Sequence, residues 1–129
     1  MGTVYIATGR GWVYQKQVEK WDSLGRLLPI DSRHQPELGL DAQNNIYLTS
    51  FGGRYRTRNK GQWQPLQQLP QFTDSKTIGF VETAGAENFA YVVWEEGTGN
   101  PDEGLNEESQ IFVGKLYPDG RLIGLGEGK

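Results

Sequence analysis

Cysteine is absent from all 129 residues. No disulfide framework, thiolate nucleophile or cysteine-ligated metal site is therefore open to this chain. Helical periodicity is missing too: no long window carries apolar residues at i, i+3, i+4 and i+7. No apolar run approaches a membrane span, and no basic segment followed by an apolar stretch marks a leader peptide at the N-terminus. Together these absences favour a reducing, cytoplasmic setting and no membrane partner. Basic excess is also lacking, since the net charge is −3, which argues against general affinity for nucleic acid. Histidine occurs once, as His34 in a polar connector, so no histidine cluster offers a metal site. A nucleophile elbow, a phosphate loop and a dinucleotide fingerprint are all missing, and no cofactor is expected.

What the chain does have is glycine, at 18 residues, and aromatic residues, at 12%. Abundant glycine suits many short strands joined by tight turns. The clearest strand is Asn45-Ile46-Tyr47-Leu48-Thr49-Ser50, set between Asn44-Asn45 and the Gly52-Gly53 turn. Its pattern recurs as Thr3-Val4-Tyr5-Ile6-Ala7-Thr8 and as Phe89-Ala90-Tyr91-Val92-Val93-Trp94, with Tyr5, Tyr47 and Tyr91 in steps of 42 and 44 residues. Several strands within a step of forty-odd residues point to a tandem repeat of antiparallel units.

The three segments run over roughly 1–36, 37–76 and 77–129 within a single domain, with 126–129 as a loose tail. In the first, strands are expected at 3–8, 12–21 and 26–29, with Asp22-Ser23-Leu24-Gly25 as a turn. In the second, they are expected at 37–41, 45–50, 54–59 and 62–69, the last an edge strand because Pro65 lies within it. In the third, they are expected at 77–82, 89–95, 110–117 and 121–125, with Pro118-Asp119-Gly120 as a hairpin turn. A second similarity sets residues 20–28 against 115–123, with Lys, Gly, Arg and Leu in register. The repeated strand is apolar at successive positions, as expected of a strand covered on both faces.

Leu38-Gly39-Leu40-Asp41, Asn45-Ile46-Tyr47-Leu48 and Val18-Glu19-Lys20-Trp21-Asp22 followed by Gly25 resemble NHL-like and bacterial β-propeller repeats. Gly61-Gln62-Trp63-Gln64-Pro65 is similar to strand ends of sialidase-like propellers, although that family's Asp-box is missing. The resemblance implies an all-β fold of about eleven strands in three four-stranded, propeller-like blades. A propeller closes with about four to eight blades. The expected arrangement is therefore half of a six-bladed ring completed by a second chain, a homodimer. A piece of a larger propeller and a different sandwich or barrel are the alternatives.

Candidate ligand-binding residues are Arg10, Trp12, Arg54, Arg56, Arg58 and Trp63. Arg54, Arg56, Arg58 and Lys60 alternate, so one strand face carries all four. Such a stripe suits a carboxylate, phosphate or sulfate; the plainer reading is a solvated edge strand guarded against intruding strands. Trp12, beside Arg10 and a glycine-rich turn, is the tryptophan best placed to stack on a sugar ring. Trp94, in an apolar strand, reads as core. Glu95, Glu96, Asp102, Glu103, Glu107 and Glu108 form an acidic run read as a solvated insertion, without calcium-loop spacing. The function expected is a non-catalytic binding or scaffolding module for a glycan or protein. The alternatives are a glycan-acting hydrolase fragment using Arg54, Arg56 and Glu95 or Glu96, and a purely structural self-associating subunit. Glu95 and Glu96 fall on opposite faces of a strand, which weakens the pairing a glycosidase needs.

Overall fold

The computed structural model describes residues 4–8, 10–17, 19–28, 36–50, 52–70, 77–97 and 110–128. His34, the connectors around 31–35 and 71–76, and the acidic run from 102 onward lie outside the described residues. The described chain is all-β, with twelve strands in three antiparallel sheets. Sheet 1 contains β1 (Val4–Ala7), β2 (Trp12–Gln17) and β3 (Lys20–Arg26). Sheet 2 contains β4 (Glu37–Leu40), β5 (Ile46–Thr49), β6 (Arg54–Asn59), β7 (Gln62–Trp63) and β8 (Gln67–Gln68). Sheet 3 contains β9 (Thr77–Gly85), β10 (Ala90–Gly97), β11 (Gln110–Leu116) and β12 (Leu122–Gly128). Each strand pairs with its neighbour in the chain, so every sheet is a meander; only β8 departs, returning beside β6 after Pro65 interrupts the edge.

Sheet 2 lies between the other two, and this explains its sequence. All four residues of β5 are buried. Leu48 packs with Val13, Leu27 and Leu28 of sheet 1 and its trailing segment. Tyr47 and Tyr55, on the opposite face, pack with Val81, Val92, Trp94 and Leu116 of sheet 3. Burying a side chain of this size contributes about 1.5–3 kcal/mol, so two covered faces make sheet 2 the keystone of the stack.

Hydrogen bonds then fix how sheet 3 sits on sheet 2. The Thr49 and Thr83 hydroxyls are 2.8 Å apart, Tyr55 donates to the Gly120 carbonyl at 3.0 Å, and Thr57 donates to the Pro118 carbonyl at 2.6 Å. Backbone amides of Ala42 and Gly52 donate to the carbonyls of Ala86 and Gly79. At this junction β4 and β9 come so close that a Cβ on Gly85 would collide with the Leu40 carbonyl.

The three repeated tyrosines hold matching positions. Tyr5 shares a face with Ala7, which packs toward sheet 2; Tyr47 packs toward sheet 3. Tyr91 lies on the equivalent face of β10 and is 41% exposed, with none of the described sheets packed over it. Coverage of both faces, expected for all three strands, holds for β5 alone. On β1, Val4 and Ile6 are likewise exposed.

Three expectations change. Residues 22–25 are not a turn but part of β3, and the chain reverses between Gln17 and Lys20, which pair with each other. Gly25, at φ +105°, marks a bulge where the register of β2 and β3 shifts, a use of positive φ that looks like a turn in sequence. The similarity of 20–28 to 115–123 consequently joins unlike places: the first lies within β3 and beyond, the second spans the β11–β12 turn. The tail expected at 126–129 is strand through Gly128.

Candidate functional site

The meander topology brings the β4–β5, β6–β7, β9–β10 and β11–β12 turns to one rim. Between sheets 2 and 3 these turns enclose an open cleft of about 280 Å³. Gln43, Asn45, Asn59, Lys60, Asn88, Tyr117, Pro118, Asp119 and Arg121 line it. Its walls offer amides, a phenol, two cations and one carboxylate.

Asp41 holds in place the β4–β5 turn, which supplies Gln43 and Asn45 to the lining. One carboxylate oxygen accepts from the amides of Gln43 and Asn45 at 2.9 and 3.0 Å; the other accepts from the Asn45 side chain at 3.0 Å and the Tyr47 hydroxyl at 2.8 Å. Burial and the adjacent Asp41 push the Tyr47 hydroxyl well above the ordinary phenol range, so it stays a donor. Asn45 in turn accepts from the Lys60 amide at 2.9 Å, locking the β6–β7 turn onto the β4–β5 turn. Lys60 itself sits at φ +50°. On the opposite wall the Arg121 guanidinium lies 4.6 Å from the Tyr117 ring centroid, and the Arg121 amide donates to Asp119.

The residues singled out by sequence lie elsewhere. Arg54, Arg56 and Arg58 do share a face, but that face looks toward sheet 1 and belongs to a central strand, not a solvated edge. Arg56 donates to the Gln64 carbonyl at 2.9 Å and to the Leu27 carbonyl of the segment after β3 at 3.5 Å. Burial lowers its affinity for a proton from the ordinary guanidinium value. Arg56 and Arg58 each lie 5.9 Å from the Trp63 ring, and Trp63 packs on the cluster of Val13, Leu27, Leu28 and Leu48. Arg58 Nε is buried without a hydrogen-bond partner. The stripe thus joins two sheets. A period-two pattern reports which residues share a face and is silent on what covers it.

Arg10 is exposed in the β1–β2 turn, and Trp12 is half-buried with the Arg26 guanidinium 5.4 Å from its ring. Trp94 is 1% exposed and stacked on Phe112, as core. Glu95 and Glu96 do fall on opposite faces; Glu96 is fully buried and accepts from the Trp94 indole at 3.3 Å. Among the described residues no group of three acidic or histidine side chains is placed to hold a metal ion.

A carboxyl pair sits where β4 meets β9. The Glu37 carboxyl is pushed up to about 7 by its hydrogen bond with Glu82, then by burial and by the Glu82 charge. A carboxyl raised on folding stabilises the fold fully below its unfolded value near 4.5 and loses that stabilisation as pH rises through 7. Stability should therefore fall between about pH 5 and pH 8, by of order 1 kcal/mol once water's screening of this part-exposed pair is allowed for. Glu37→Gln should flatten that slope and raise the melting temperature at pH 8. An unchanged slope by calorimetry would show that the pair does not share a proton.

No family model matches the chain, and no curated protein or solved structure is significantly similar to it.

Proposed function

We propose that the chain is a non-catalytic β-propeller-type binding module, with each sheet a blade and three blades from a second chain completing a ring of six. The observation that carries this reading is the common direction of the repeated tyrosines: Tyr5 and Tyr47 lie on the face turned toward the following sheet, and Tyr91 on the equivalent, exposed face of sheet 3. Successive units related by one rotation, each covering its predecessor, are how blades follow one another around an axis.

The ligand is taken at the rim cleft between the second and third blades, and a glycan suits it. Side-chain amides and a carboxylate pair well with sugar hydroxyls, donating and accepting at neighbouring positions. Lys60 and Arg121 add attraction for an acidic substituent. Asp119 is the only carboxylate among the described lining residues, one short of the pair that most glycosidases place across the scissile bond.

A glycan array tests the assignment. The wild-type protein should retain at least one saccharide group, Asn88→Ala combined with Arg121→Ala should weaken it tenfold or more, and Trp12→Ala should leave it unchanged. An array without a hit, or binding that survives the cleft variant and fails with Trp12→Ala, would overturn the cleft as a glycan site. Turnover of a fluorogenic glycoside would overturn the non-catalytic assignment.

A further inference from the structure

Seven large hydrophobic residues are exposed among those described, and six lie on just two surfaces. Val4, Ile6 and Trp21 are on the outer face of sheet 1, at 51, 45 and 44%. Tyr91, Ile111 and Ile123 are on the outer face of sheet 3, at 41, 42 and 44%. Leu66 is the exception. Apolar exposure gathered this way marks an interaction surface.

The repeat says what each face fits. Within the chain every joint has the same form: the face carrying the repeated tyrosine of one sheet meets the residues flanking that tyrosine's equivalent in the next. Tyr47 of sheet 2 clusters with Ala90 and Val92 of sheet 3, and Ala7, on the Tyr5 face of sheet 1, packs with the cluster that holds Leu48 of sheet 2. Counting along the repeat, Val4 and Ile6 stand where Ile46 and Leu48 stand in sheet 2 and where Ala90 and Val92 stand in sheet 3. The outer face of sheet 3 is thus a giving face and the outer face of sheet 1 a receiving face, each exposed among the described residues.

At one end of the joint charge favours this pairing. Glu95, opposite Ile111, lies toward the β10–β11 connection. The equivalent end of sheet 1 carries Arg10, in the β1–β2 turn, and Arg26, opposite Trp12. Carboxylate would thus meet guanidinium at one end of the joint.

We infer that the sheet 3 outer face of one chain docks on the sheet 1 outer face of a second copy, and that the reciprocal joint closes the pair with two-fold symmetry. The inference rests on the blade reading and specifies its missing contact. A head-to-tail joint closes only if the rotation per sheet brings two copies round; otherwise it grows into an open filament.

Sedimentation equilibrium of the full chain across the micromolar range tests it. The wild type should hold the mass of two chains at every concentration. Ile6→Arg and Ile111→Arg should each sediment as a single chain. Both positions are exposed, so far-ultraviolet circular dichroism should match the wild type. An equimolar mixture of the two variants should recover a two-chain species, because one intact sheet 3 then finds one intact sheet 1. A wild-type monomer would overturn both this joint and ring completion by a second copy. A wild-type dimer that Ile6→Arg leaves intact would overturn the joint alone, since sheet 3 would then be pairing with sheet 3. A mass that climbs with concentration would overturn closure.

Discussion

Trp94→Ala should lower stability by about 3–5 kcal/mol, the range found when a buried aromatic side chain is deleted and its cavity remains. Trp94 is 1% exposed, stacks on Phe112 at 6.2 Å between centroids and sits in the cluster joining sheets 2 and 3. Its indole also donates to Glu96, a carboxylate with no exposed surface. Alanine therefore removes packing and deprives a buried acid of one donor, two costs of the same sign. Trp94→Phe separates them, because it keeps a ring against Phe112 and removes only the donor and part of the volume; about 1–3 kcal/mol is expected. With total stability for a domain commonly near 5–15 kcal/mol, the alanine variant should be close to unfolded at 37 °C. Urea denaturation followed by circular dichroism at fixed protein concentration measures both. A loss under 1 kcal/mol for Trp94→Ala would mean that sheet 3 does not rest on sheet 2 through this residue.

The other large effect belongs to a polar residue. Asp41→Ala should cost about 3–5 kcal/mol, although Asp41 packs no apolar surface of note. Its carboxylate gathers four donors over six residues: two backbone amides, the Asn45 side chain and the Tyr47 hydroxyl. Hydrogen bonds to a charged acceptor contribute about 1.5–3 kcal/mol each, less when several are lost together. Tyr47 is fully buried, so its hydroxyl would be left without its partner in the core. Asp41→Ala in a Tyr47→Phe background should accordingly cost about 1–2 kcal/mol less than in the wild type. Asp119 supplies the comparison. It is also an aspartate in a strand-connecting turn, but it is exposed and accepts one amide, from Arg121. Asp119→Ala should fall within about 0.5 kcal/mol of the wild type. Equal effects at the two aspartates would contradict the buried network.

Sequence pattern was a good guide to the strands and a poor one to what lies against them. The β5 run, the edge position of the segment around Pro65 and the turn at 118–120 were legible because each rests on local chemistry: β-branched and aromatic residues, a missing amide, and a glycine at φ +92°; that Pro65 splits this segment into two strands was not. The reversal between Gln17 and Lys20 was not legible, because Gly25 advertises a positive φ that the fold spends on a bulge. The basic stripe was correctly placed on one face, yet nothing local distinguishes an arginine facing water from Arg56, whose guanidinium reaches the Leu27 carbonyl 29 positions away. The cleft is the extreme case. Gln43, Asn59, Asn88 and Arg121 read singly as ordinary turn and strand-end residues, and only the stacking of sheets 2 and 3 makes them neighbours. The one usable signal was topological, since alternate turns of a meander must share a rim.

The proposed ring requires that the end faces of the three-sheet stack be covered by a second copy of the chain. Small-angle scattering from the wild-type protein reads this most directly, because it returns mass and shape together. A particle of twice the 14.5 kDa chain mass, with the flat, disc-like profile of a closed ring, is the predicted result. A compact particle of one chain's mass, unchanged up to high micromolar concentration, would contradict it.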